Sequence, residues 1–353
     1  MIAMPHGRSV PMPTRSRSSG SLNIAGIGIG LLAIVAWIVM AVFGLRVMPS
    51  YLATWLFCIA LPLGALPLVM LFELFAVQDW PIMAPLRRIL SWLPIAALFA
   101  IPVMVRIGAL YHRPGHDVGW NAPGFLLVRM IIILLIWSGM AWIFSRTPRR
   151  EARGGLASVG LCLHLVLGSI AGMDWIMSLD PGLGSAAFGP LTIGMQVSTA
   201  LCAAALMLAV PRHSIPMPSE TTPLLMVALA AWGYLHFIQY LIVWYGNLPD
   251  EIVWYQHRIG SFGEVTIWSC FAATLLAFAL LLPHRISRTP WALASAAAML
   301  LLVHLVEMFW LVTPGFRGSF IIDVADLPGI LGVVCIAASI LFAERKVMRH
   351  DHT

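Results

Sequence analysis

The chain has 353 residues, of which 60% are hydrophobic and only 10% charged, and its mean hydropathy is +0.90; a soluble globular chain carries about 25% charged residues. That deficit excludes an ordinary soluble enzyme, a disordered or collagen-like chain and a nucleic-acid-binding protein, each of which needs a charged, polar or glycine-periodic sequence. What remains is an all-α polytopic protein of the lipid bilayer, and its formal charge of +6 sits almost wholly on Arg, Lys346 being the one lysine.

Residues 1–21 are polar, contain prolines and carry Arg8, Arg15 and Arg17 with no small-residue cleavage site after them, so they read as a disordered tail. Ten apolar segments follow: span 1 (22–44), span 2 (51–74), span 3 (91–111), span 4 (123–145), span 5 (156–176), span 6 (187–210), span 7 (222–245), span 8 (262–283), span 9 (290–312) and span 10 (326–343). Each approaches the roughly 20 residues that cross a hydrocarbon core. They form one transmembrane domain over 22–344, followed by a short tail at 345–353. The five cysteines, Cys58, Cys162, Cys202, Cys270 and Cys335, lie inside apolar runs with no paired spacing and read as small core residues.

Fifteen Arg and Lys residues fall in the tails and the 75–90, 146–155, 211–221 and 284–289 connections, against four on the opposite side, Arg46, Arg113, Arg258 and Arg317. Both termini are therefore expected in the cytoplasm. Asp174 precedes Pro181-Gly182 by the same seven residues that separate Glu307 from Pro314-Gly315. The offset between the two motifs is four spans. Two four-helix bundles, spans 2–5 and 6–9, flanked by spans 1 and 10, would account for it.

A charge at the bilayer centre costs about 2.5–3.5 kcal/mol on insertion scales, so ionisable residues within spans need partners, water or a function. Toward the outer side lie Arg106 on span 3, Arg129 on span 4 and Asp174 on span 5, where either arginine is in reach of the acid as a structural ion pair. Offsets of 3, 4 and 11 residues place His236, Gln239, Tyr240 and Asn247 on one stripe of span 7. His304 and Glu307 share a face of span 9, and Glu264 opens span 8. A polar cavity between spans 7, 8 and 9 is expected from these groups, and a sealed set of hydrogen-bonded side chains would give the same pattern.

Glu73 is either a solvated helix-end acid or an uptake point on the cytoplasmic side, and His164 reads as a satisfied core histidine. His236 and His304 have comparable depth, which would allow one bis-His haem b; a di-haem cytochrome needs a second pair, and His164 has no counterpart. Haem is not expected. The sequence has no GxGxxG on a strand-turn-helix, Walker loop, HExxH or nucleophile elbow.

The run Tyr234–Arg258, YLHFIQYLIVWYGNLPDEIVWYQHR, resembles the NrfD-like (polysulfide-reductase-like) membrane subunits of alternative complex III, a quinol:cytochrome c oxidoreductase, and among them the ActF type. Gln239, Tyr240, Trp244, Tyr245, Asn247, Pro249, Glu251 and His257-Arg258 carry the likeness, with Asp174–Pro181 and Phe309–Pro314 agreeing. It covers most of spans 5–10 and is thinner over spans 1–4. After Asp180-Pro181 the family continues with His-Trp and an aromatic-Ser-Thr run, whereas this chain reads Gly182-Leu-Gly-Ser-Ala-Ala-Phe188-Gly189. If that loop normally packs on a partner, the partner or its docking mode differs here.

The resemblance implies a subunit without its own redox centre in a bacterial cytoplasmic membrane. Its neighbours would be an NrfD-like paralogue, iron–sulfur and cytochrome c subunits, or a terminal oxidase, and menaquinol or ubiquinol would be its small-molecule contact. It implies a proton half-channel, for which Asp174, His236, Glu264, His304 and Glu307 are the candidate path, Glu73 the cytoplasmic access point, and Asp250 and Glu251 the outer exit. A secondary transporter and a structural anchor for peripheral redox subunits are the alternatives.

Overall fold

A computed structural model describes residues 35, 37, 39, 40, 47–112, 119–146, 154–180, 182–210 and 216–332. Both tails and most of spans 1 and 10 lie outside the described residues. Among those described there is no strand, and eight helical spans are long and apolar enough to cross a membrane. They are span 2 (Met48–Leu74), span 3 (Met83–Val105), span 4 (Pro123–Phe144), span 5 (Gly154–Leu179), span 6 (Phe188–Ala209), span 7 (Thr221–Gly246), span 8 (Phe262–Leu281) and span 9 (Pro290–Arg317). The chain is an all-α, multi-pass membrane protein.

Prolines set several helix starts. Pro123 and Pro290 are the first residues of their helices, where the missing N–H costs nothing and the fixed φ suits a helix. Span 7 ends on Asn247 in the left-handed conformation (φ 48°), and Pro249 then opens a short amphipathic helix, Pro249–Ile259. Span 3 departs from expectation. It begins at Met83, so Arg87 and Arg88 lie in its first helix and not in a loop, and it is broken into Met83–Leu90, Leu93–Leu98, Ile101–Val105 and Ile107–Leu110. Pro94 and Pro102 are the second residues of the second and third pieces, where the missing N–H removes a bond of the helical ladder to the preceding piece. Pro62 and Pro67 lie inside span 2, yet that helix runs unbroken from Met48 to Leu74.

Spans 2–5 pack on one another, as do spans 6–9, but the two groups share a single hydrophobic core. Span 2 crosses span 6, and spans 2–9 and 5–6 add further contacts between the groups. At the first crossing a Cβ on Gly64 would lie 1.8 Å from the Gln196 carbonyl oxygen, so the backbones meet directly. Span 8 is the opposite case, only 11% buried and packed chiefly on span 9, which leaves most of its surface to lipid or a neighbour. Trp37 of span 1 lies 5.4 Å from Tyr51 between ring centroids, and a Cβ on Gly329 would come 2.1 Å from Trp37 Cη2, so spans 1 and 10 meet beside span 2.

The segments 177–186 and 246–261 lie together at one end of the bundle, the upper face; the 284–289 turn and residues 217–222 meet at the other, the lower face. A Cβ on Gly315 would sit 2.9 Å from the Leu179 carbonyl oxygen, so the two acid-to-glycine motifs touch at the upper face.

Candidate functional site: a buried carboxylate between two imidazoles

Spans 6, 7 and 9 build a buried polar cluster. His304 and Glu307 share a face of span 9 because they stand three residues apart. The His304 Nδ1–H donates to Glu307 Oε2 at 2.9 Å, and the Ser198 hydroxyl of span 6 meets His304 Nε2 at 2.8 Å. From span 7, His236 Nε2–H donates to Glu307 Oε1 at 2.6 Å and Trp232 Nε1–H to the same oxygen at 3.0 Å. Ser198, His304 and Glu307 are buried, whereas the His236 side chain is 30% exposed. The result is a hydrogen-bonded line of Ser198, His304, Glu307 and His236 from the core to an accessible edge.

Trp232 stands edge-on between the imidazoles, 4.8 Å from His304 and 5.1 Å from His236 between ring centroids. With both His304 nitrogens engaged and the indole filling the space between the rings, these residues do not fit a bis-His haem. His236 is the one imidazole of the pair with exposed surface. Among the described residues no group of three His, Cys, Asp or Glu side chains is arranged to hold a metal.

No protein-family model matches the chain, and no curated protein matches it at a significant level.

The remaining expected residues fall into separate sets. Asp174 is held by Arg129, with Nε–Oδ2 2.8 Å and Nη2–Oδ1 2.9 Å, and the guanidinium also lies 4.0 Å from the Trp120 ring centroid. This is the structural ion pair, and it stands outside the spans 6–7–9 line. Arg106 sits at the break between Val105 and Ile107, half-buried. Glu73 is buried, not solvated, and Arg87 Nη2 reaches its Oε1 at 3.3 Å, which the early start of span 3 makes possible. Glu264 does not join the expected cavity: it is exposed on the first turn of span 8, which barely meets span 7. The span 7 stripe divides likewise, with Gln239 buried and Tyr240 exposed. Asp250 and Glu251 occupy the first turn of Pro249–Ile259, the former exposed and the latter half-buried.

His164 is fully buried, but neither ring nitrogen has a hydrogen-bond partner among the described residues. It packs 5.8 Å from Trp137 between ring centroids, so it is a core histidine without being a satisfied one.

Sequence reasoning missed the upper clamp. Arg258 has no exposed surface; its Nη1 donates to Asp180 Oδ2 at 3.0 Å and to the Trp254 carbonyl at 2.8 Å, and its Nη2 donates to the Leu311 carbonyl at 2.9 Å. The guanidinium carbon lies 3.7 Å over the Trp254 ring, four residues earlier on the same helix. Burial pulls its pKa down to about 10, Asp180 opposing the fall, so it stays charged at neutral pH. The i, i+4 pairing of Trp254 with Arg258 was the available signal. A second missed set joins Arg317, Asp326 and Ser50: Arg317 Nη2 donates to Asp326 Oδ1 at 2.8 Å and Nη1 to Oδ2 at 3.0 Å.

Proposed function

We propose that this chain is a membrane subunit of a quinol-oxidising respiratory electron-transfer complex of the alternative complex III type, in which spans 6, 7 and 9 relay protons and His236 is the point of quinone contact. The observation that carries the reading is Glu307 joined to two imidazoles, one backed by Ser198 in the core and one opening to the edge. Imidazole and carboxylate in direct contact are what moves a proton through hydrocarbon. The complex itself is supported by the resemblance over Tyr234–Arg258, which names an NrfD-like paralogue, iron–sulfur and cytochrome c subunits or a terminal oxidase as neighbours. The resemblance supports a bacterial cytoplasmic membrane, and the distribution of basic residues supports cytoplasmic termini and an outward upper face. A secondary transporter would favour matching breaks in corresponding spans; span 3 is broken while span 7, its counterpart, runs unbroken from Thr221 to Gly246.

Replacing Glu307 with Gln keeps the shape and removes the titrating group. The expected outcome is a lowered ratio of protons moved to electrons transferred in the reconstituted complex, with assembly intact. An unchanged ratio would remove Glu307 from any path and leave a structural anchor as the better reading.

A further inference from the structure

We infer that the relay leaves the protein at the upper face through Gln239 and Ser185, with Glu251 as the terminal proton acceptor, and that the glycine loop at 182–184 exists to bring Glu251 there. This rests on the relay reading above and names its outward end.

Gln239 lies three residues beyond His236 on span 7, one turn nearer the upper face. Its side chain is 1% exposed. The carboxamide oxygen accepts from the Ser185 hydroxyl at 2.5 Å, and Nε2 has no partner among the described residues. A buried donor left unmet costs about 1–3 kcal/mol, so a retained one marks a place where water is held. His236 presents the matching end, because Glu307 holds only its Nε2.

Ser185 is buried and follows the loop whose bulky and polar residues are replaced by glycine. A Cβ on Gly182 would lie 2.7 Å from the Asp250 carbonyl oxygen, so a larger residue would push the Pro249–Ile259 helix away. A Cβ on Gly184 would lie 3.9 Å from Glu251 Oε1, which places that carboxylate over the residue next to Ser185. Of the other nearby acids, Asp180 is committed to Arg258 and to His257 Nδ1 at 3.3 Å, and Asp250 is exposed and meets the loop through its backbone carbonyl. Glu251 is half-buried and its carboxylate has no hydrogen-bond partner among the described residues, which leaves it the acid able to take a proton.

A proton on the Glu307–His236 pair leaves from His236 Nδ1 to a water held by Gln239, passes by the Ser185 hydroxyl and ends on the Glu251 carboxylate, which releases it to solvent. The Nε2–H stays on the Glu307 carboxylate throughout, and Nδ1 is refilled by the quinol hydroxyl that the reading above places at His236. Gln239 and Ser185 are positioning residues and neither changes charge.

The test is proton release at the upper face by the whole complex in vesicles, followed with a pH dye during quinol turnover and alongside electron transfer. Gln239→Leu and Glu251→Gln should each slow release at least tenfold and Ser185→Ala severalfold; Gln256→Leu, exposed on the same short helix, should leave it unchanged. Gln239→Glu, which restores a polar group, should recover most of the rate. Wild-type release in Glu251→Gln and Ser185→Ala, with Glu307→Gln still defective, would overturn this exit and leave the relay standing. Wild-type release in Glu307→Gln as well would overturn both. Glu251→Gln and Ser185→Ala carry the test if Gln239→Leu does not fold.

Discussion

A guanidinium with no exposed surface has to find its countercharge inside the protein, and Arg258 finds it in Asp180, 78 residues away in sequence. Breaking a buried pair by deleting one partner costs about 3–5 kcal/mol, because it strands the other charge. Asp180→Ala should therefore lower the thermal midpoint in detergent sharply, and the double variant Asp180→Ala with Arg258→Met, which strands neither charge, should cost less than Asp180→Ala alone. A double variant that melts no higher than Asp180→Ala would mean that the clamp acts through packing alone. The contrast with Glu307 explains which residues were legible. His304 and Glu307 are three apart on one helix, and His236 matches them in depth, so periodicity alone brought them together. Asp180 and Arg258 sit in connections, where no period applies. Which of Arg106 and Arg129 would grip Asp174 was equally hidden, since both arginines were at the right depth and the choice depends on how the broken span 3 turns.

The eight helices were readable as elements because hydrocarbon thickness fixes their length, and spans 4 to 9 fall within two residues of their expected bounds at nearly every end. Their interruptions were less legible. Pro62 and Pro67 sit mid-helix in span 2 without ending it, since neighbouring helices can satisfy the freed carbonyl groups of a buried helix; Pro94 and Pro102, in the far less buried span 3, do mark breaks. Also invisible in the sequence was which glycine carries a helix crossing. Gly64 is such a residue, its missing Cβ being what lets span 2 touch the Gln196 backbone. Gly64→Ala should cost at least the roughly 1–3 kcal/mol of an overpacked core and lower the thermal midpoint, since a backbone atom cannot rotate away. Gly139→Ala, where an added Cβ meets nothing within 4 Å, should be neutral and serves as the control. If both variants melt alike, the close crossing of spans 2 and 6 is wrong.

For the molecule as a whole, the repeat in the sequence suggested two four-helix bundles, whereas the spans share one core in which span 2 packs most closely on span 6, because an echo of motifs says which helices correspond and nothing about how the copies dock. Docking brings the two acid-to-glycine motifs together at the upper face, and with them Arg258, Asp180, Glu251 and the end of the proposed relay. The function therefore depends on which way that face points. The excess of basic residues on the other side argues for an outward upper face, since positive connections are retained in the cytoplasm. In a chain freed of its native cysteines, Gln256→Cys on the exposed side of the Pro249–Ile259 helix should react with a membrane-impermeant maleimide on intact spheroplasts. Ser219→Cys, exposed beside the lower turn, should react only after the membrane is opened. The reverse pattern would turn Glu251 into an intake for protons from the cytoplasm and Glu73, held by Arg87 at the lower end, into an outer group, so the relay would run backwards through the same residues.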